Sequence, residues 1–321
     1  MLSRRHLRIK VLLALYAFFQ SQTESIAAGE KELFKSINKL YEIFIYQLSL
    51  LIEIVEYAHK RLEENKLKFF PTEEDLNPNT RFTENKVIKL LDANKDFRKH
   101  YDLYKINWVD EEEMIRKLWV EVRESQDFKD YMASETNTFN DDREILIRIV
   151  KKQITASEIL HFYYEEKNIH WSDDFFTANM LVIKTLKALK PTWGESHPLP
   201  ELFKETVDDD ANEDREFVKD LFRKTVVHSD EYEALIAEKV KNWEMDRIAV
   251  MDILLIKMAL AELIEFPSIP IKVTLNEYIE LAKMYSTPKS KVFVNGILDK
   301  LIIDLKNSKK IKKTGRGLLE N

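Results

Sequence analysis

Five glycines in 321 residues, with most of the eight prolines lying between periodic segments, leave this chain little turn chemistry. Many short strands would need such turns, so the shortage points to long helices. No segment shows sustained two-residue alternation, and "KELFKSINKLYEIFIYQLSLLIEIVEYAHKRLEE", from Lys31 to Glu64, reads as one long amphipathic helix. The expected fold is all-α.

The remaining chain extends this pattern. A loop is expected at "FFPTEEDLNPNT", where Pro71 and Pro78 break the periodicity. "DEEEMIRKLWVEVRESQDFKDYMA" reads as one helix with acids in its first turn, where the helix dipole favours them. Two further helical stretches run over Asp142–Glu166 and Asp173–Leu189. "KPTWGESHPLPELFKETVDDDANED" reads as a linker, and helix resumes at Asp214.

The opening "SRRHLRIKVLLALYAFFQSQ" could be a secretory leader, a membrane anchor or a helix with a basic head. The apolar run Val11–Phe19 is far short of the ~20 residues that span a bilayer. A leader also needs a small-residue cleavage site, and only a loose Ala27-Ala28 match follows. At 100° per residue Arg4, Arg8, Val11, Leu15, Phe18 and Phe19 share one side of a helix, with Ser3 as its N-cap. The helix reading is therefore preferred, with no membrane association. The absence of cysteine removes disulfides, thiolate catalysis and Cys-ligated zinc, and fits a cytoplasmic location.

Charge is unevenly spread. The net −6 combines +4 in residues 1–10, +5 in residues 305–321 and −15 between them. Two basic ends on an acidic body suggest polyanion contact at one locus, with a solvated tail as the alternative for the C-terminal end.

An internal echo appears when the chain is shifted by 72 residues. "DREILIRIVKKQITASEI" then aligns with "DREFVKDLFRKTVVHSDEY", Trp171 with Trp243, and Asp174 with Asp246. Residues 142–190 thus resemble a partial copy of 214–262. The copy has Met180 where Asp252 stands.

Nothing in the sequence makes a convincing enzyme: it has no Gly-rich phosphate loop, HExxH or GxSxG. Glu56–His59 and Glu158–His161 could serve a dimetal bundle, but chance supplies such pairs in a chain this rich in glutamate. No cofactor and no metal are expected.

The last hundred residues are more specific. A helix apolar on most faces runs through Leu263, followed by a Pro267/Pro270 connection and an amphipathic helix Leu275–Tyr285. Thr287-Pro288 then starts a final helix. Gly296 inside that helix would cost about 1 kcal/mol relative to alanine, which a close approach by another helix backbone would explain. "WEMDRI", "MDILLIKMALAEL", "IPIKVTLNEYIELAK" and "KVFVNGILDKL" resemble the NusB antitermination family, and "RRHLRIKVLLALY" resembles that family's first helix.

The resemblance implies a pair of small helical bundles that binds boxA-type RNA together with the ribosomal protein NusE. Such a protein would act in the RNA polymerase antitermination complex on ribosomal RNA operons. By position, Arg4, Arg5, Arg8, Lys289, Lys291 and Phe293 would contact RNA, while Tyr16 and Asp252 would face NusE. The implied organisation is a first helix (1–20), a helical insertion (21–211) carrying the echo, the rest of the NusB-like domain (212–304) and a basic tail (305–321). A NusB-like scaffold that has lost RNA binding is the alternative, with the dimetal enzyme behind it.

Overall fold

The computed structural model describes residues 2–21, 25–203, 213–240 and 248–319, and all the secondary structure within them is helical. The first helices are α1 (Arg4–Gln20), α2 (Ile26–Lys66), α3 (Glu73–Leu76), α4 (Lys86–Asp92) and α5 (Lys95–Leu103). Next come α6 (Glu112–Glu124), α7 (Gln126–Ala133), α8 (Phe139–Ile149), α9 (Glu158–Lys167) and α10 (Trp171–Ala188). The last are α11 (Glu213–Val227), α12 (Ser229–Lys239), α13 (Val250–Glu265), α14 (Ile271–Tyr285) and α15 (Ser290–Asn307). None of the described helices is long and apolar enough to cross a membrane.

Two compact units share the chain, one built from residues 37–202 and the other from residues 2–36 and 203–319. The division falls within α2, beyond the expected boundary at residue 20. The first turns of α2 belong to the second unit, where Glu30 pairs with Arg223 and Leu33 is fully buried.

Side-chain caps explain where the helices of the first unit begin. Asn85 accepts from the Val87 and Ile88 amides to start α4, and Asn94 accepts from Phe97 to start α5. Ser125 interrupts the single helix expected over 110–133. Its extended backbone ends α6, and its Oγ accepts from the Phe128 amide to begin α7. The stretch 142–166 is likewise broken, by a π-helical turn at Val150–Ile154 and a Ser157 cap on α9. Part of the expected linker is strapped to α5: the Lys95 amide donates to Glu195 O at 2.8 Å and the Leu199 amide to Asp96 Oδ2 at 2.9 Å.

The core of this unit is aromatic. The Trp171 ring lies 5.1 Å from Tyr46 and 5.7 Å from Tyr164, and its Nε1 donates to Lys39 O at 2.8 Å. Trp108 donates to Ser49 Oγ at 3.0 Å. Trp119 stacks on Phe82, and Trp193 stacks on His197.

The second unit is organised around α13. Leu254, Leu255, Ile256, Met258, Ala259, Leu260, Ala261 and Leu263 are all buried, because α1, α11, α12, α14 and α15 pack round it. A helix apolar on nearly every face needs such enclosure. The final helix starts two residues after Pro288, with Thr287 and Ser290 hydroxyls 2.8 Å apart across the turn.

The 72-residue shift superposes helix positions as well as letters. α8 with its π turn occupies 139–154 and α11 occupies 213–227, while α9 and α12 lie at 158–167 and 229–239. Ile145 and Phe217, Leu146 and Val218, Ile149 and Leu221, and Leu160 and Tyr232 are buried at matching places. So are the carboxylates Asp142 and Asp214. Trp243 and Asp246 lie outside the described residues.

Burial raises the phenol pKa of nine tyrosines, most strongly at the enclosed Tyr164 and Tyr278. Unfolded tyrosine loses its proton near pH 10. The folded state then holds more protons than the unfolded one, so stability falls as pH rises. Lys313, pulled down to about 8 by burial, acts in the opposite sense up to about pH 10.5, but it is one group. Denaturant midpoints should therefore drop steeply above about pH 10. Constant midpoints up to about pH 11 would contradict the burial of these phenols.

Candidate functional site

Ser3 caps α1 as the sequence suggests, its Oγ accepting from the His6 amide. The first two turns then present Arg4, Arg5 and Arg8, and the structure sends each to a carboxylate. Arg8 is a correction to the expected RNA contacts. Its side chain is 3% exposed, and its Nε and Nη2 donate to the two oxygens of Glu262 at 2.7 and 2.8 Å. Thr274 Oγ1 and Tyr278 Oη donate to the same carboxylate at 2.8 and 3.2 Å. This bidentate pair joins α1, α13 and α14 inside the core and leaves no guanidinium face for a transcript. The pairing holds Arg8 protonated, its pKa raised by Glu262 against the cost of burial.

Arg4 and Arg5 are partly exposed, but their forks are also engaged. Arg5 donates to Glu277 at 2.9 and 2.8 Å, and Arg4 pairs with Glu213 and with Asp214, the latter at 3.2 Å. The Arg5 guanidinium holds the Glu277 carboxyl below its usual range. Arg4 also lies over the Phe217 ring, 4.7 Å from its centre.

Asp252, expected to face NusE, is only 5% exposed; its Oδ2 accepts from Ser290 Oγ at 2.8 Å and ties the start of α15 to the start of α13, while its Oδ1 has no hydrogen bond among the described residues. Its counterpart under the 72-residue shift, Met180, is 44% exposed. Tyr16 is 40% exposed and Phe19 37%, which leaves an aromatic edge on α1.

Lys289 and Lys291 are exposed at the start of α15, and Phe293 is half-buried. At 100° per residue Lys289, Phe293, Gly296 and Lys300 fall within roughly 60° of one direction, with Val292 and Ile303 beside them. Lys291 lies on the opposite side, roughly 140° away from Gly296. Gly296 is a further correction. No helix approaches it, and a Cβ placed there would meet nothing within 4 Å. The glycine therefore flattens a solvent-facing stripe instead of admitting a packed neighbour. Sequence reading named Lys289 and Phe293 but missed Lys300 and Ile303, which continue the i, i+4, i+7 spacing of 289, 293 and 296, and Val292 beside them.

Among the described residues no group of three or more His, Asp or Glu could hold a metal ion. Glu56, His59 and Glu158 are exposed on helix surfaces.

The NusB family model matches residues 181–302, from within α10 to α15. The transcription antitermination protein NusB of Salinibacter ruber is 42% identical over 143 residues, which cover 44% of this chain and 89% of that protein. The chain belongs to the NusB family. Proteins of the same name from Chloroherpeton thalassium and Geobacter sulfurreducens are 38% identical over 106 residues and 40% over 108. These alignments cover 50% and 78% of the relatives and about a third of this chain, at 33% and 34%. No solved structure matches the chain. NusB membership places it among transcription factors, not enzymes.

Two expectations follow from this geometry. Arg8→Ala leaves Glu262 buried without its cation and should cost about 3–5 kcal/mol, whereas Arg8→Met with Glu262→Leu should recover most of that loss. Urea melts of the single and double variants check this, and equal loss in both would reject the charge argument. Gly296→Ala should instead stabilise by about 1 kcal/mol, because the new methyl meets only solvent. A loss of stability would mean that the site is more crowded than described.

Proposed function

We propose that the protein is a transcription antitermination factor that binds boxA-type RNA together with NusE, in the RNA polymerase antitermination complex of ribosomal RNA operons. NusB family membership carries this reading, and the exposed stripe of α15 supports it. Lys289 and Lys300 supply cations for phosphates, Phe293 an aromatic edge for bases, and Gly296 an absence of side chain where a nucleic-acid backbone can come close. Lys291, on the other side of the helix, adds long-range attraction. Arg4 and Arg5 contribute through what remains exposed of their guanidinium groups. Tyr16, with its neighbour Phe19, is the proposed NusE contact on α1. A cytoplasmic location follows from this role.

A second reading is favoured by one observation. All three arginines at the start of α1 are bound to carboxylates, as in a NusB-like scaffold that no longer binds RNA. Fluorescence anisotropy with boxA-type and scrambled RNA, with and without NusE, separates the two. The factor should bind boxA-type RNA more tightly when NusE is present, with affinity falling as salt rises. Phe293→Ala should remove about 1–3 kcal/mol of that binding if the ring stacks on a base. Equal affinity for boxA and scrambled RNA, under all conditions, would favour the scaffold.

A further inference from the structure

The internal echo leaves one helix face bare. In the second unit α15 lies across α12 and α13: Ser290 Oγ donates to Asp252 at 2.8 Å, and Lys239 pairs with Asp304. The echo has no such cover, because residues 189–203, which follow α10, form no helix. Met180, which matches Asp252, is exposed, and Phe176 is 55% exposed where its counterpart Ile248 is 9%. Ile159 and Phe162 on the neighbouring α9 are exposed as well.

The bare face of α10 has a pattern of its own. Asp173, Phe176, Met180, Ile183 and Lys187 follow one another at alternating steps of three and four residues. At 100° per residue they fall within roughly 80° of the helix circumference. Such a heptad stripe is the seam along which two helices pair. Ile183 is half-buried and the other four residues are exposed.

The two ends of the stripe carry opposite charges. Asp173 stands at one end, with Glu165 and Glu166 exposed on the last turn of α9, while Lys184 and Lys187 stand at the other. Asp173 and Lys187 each lie seven residues from Met180, about 10 Å along the helix at a rise of ~1.5 Å per residue. Turned end for end about Met180, the stripe therefore complements itself. Asp173 then meets Lys187, and Phe176 meets the turn that carries Ile183 and Lys184. A parallel pairing would set Asp173 against Asp173, which like charge disfavours.

We propose that α10 is a self-association surface, which pairs with α10 of a second copy of this chain, antiparallel about a two-fold axis at Met180. The axis makes the contact isologous, so each interaction occurs twice and the assembly closes as a dimer. Ile159 and Phe162 of α9 widen the apolar area beside the seam. The contact is small against the roughly 20–30 residues a side of standard interfaces, so association belongs at micromolar protein concentrations. The dimer stands independently of the RNA-binding reading.

Sedimentation velocity of the full chain tests this. Between about 1 and 100 μM the wild-type protein should pass reversibly from monomer to dimer. Met180→Asp sets two carboxylates face to face at the axis and should weaken the dimer by more than about 10-fold. It should fold, since Met180 is exposed and an aspartate stands at the matching place in the second unit; thermal melts check this. Phe176→Ser is the second variant should the first unfold, and it too should favour the monomer. At low salt Asp173→Lys and Lys187→Asp should each weaken association on the order of 10-fold, and the two together in one chain should restore it.

A wild-type protein that stays monomeric throughout would overturn the proposal and leave the face to a helix of some other protein. A dimer that survives both Met180→Asp and Phe176→Ser would place the contact elsewhere and overturn it as well. Single charge reversals without effect, or a double reversal that fails to restore the dimer, would reject the antiparallel register. Growth beyond the dimer mass would reject the closed two-fold contact.

Discussion

A guanidinium and a carboxylate, both inside the core, set the terms for the family unit. Arg8 and Glu262 exchange two hydrogen bonds, and Thr274 and Tyr278 supply the carboxylate with two more. Separately, either ion would be expensive to bury; together, with every carboxylate oxygen bonded twice, they are tolerated and fix geometry. The pair sets the rotation of α1 against α13 and α14. That rotation in turn turns Leu7, Val11, Leu12 and Leu15 inward and leaves Tyr16 at the edge.

This use of arginine redistributes the chemistry of the surface. A basic start to α1 looks like a nucleic-acid contact in one dimension, but three of its charges are neutralised by acids more than two hundred residues away in sequence. Exposed cations lie instead at Lys289, Lys291 and Lys300 of α15. Asp252 shows the same principle from the other side: a carboxylate beside an exposed region serves to join two helix starts.

Helical content, the existence of one long α2, the enclosed character of α13 and the C-terminal end of α14 were legible because periodicity reports burial locally, whereas α14 begins at Ile271, a turn before the expected Leu275. α4 and α5 were not, since each is too short for a periodic pattern and depends on an asparagine cap. The breaks at Ser125 and Ser157 escaped notice for a related reason: serine is compatible with both a helix surface and a cap until its backbone angle is known. The family resemblance was legible in "NEYIELAK" and "FVNG", but the roles of Arg8, Asp252 and Gly296 were not. Each depends on what faces the residue from a distant segment, and sequence spacing alone carries no such information.

The placement of indole rings gives the two units different optical visibility. Trp108, Trp119, Trp171 and Trp193 all belong to the elaborated unit, and the one remaining tryptophan is Trp243. Emission from these four rings therefore follows the elaborated unit, with Trp108 and Trp171 reporting the aromatic interior around Tyr46 and Tyr164. A spectroscopist wishing to follow α15 selectively would attach a dye to the helix itself.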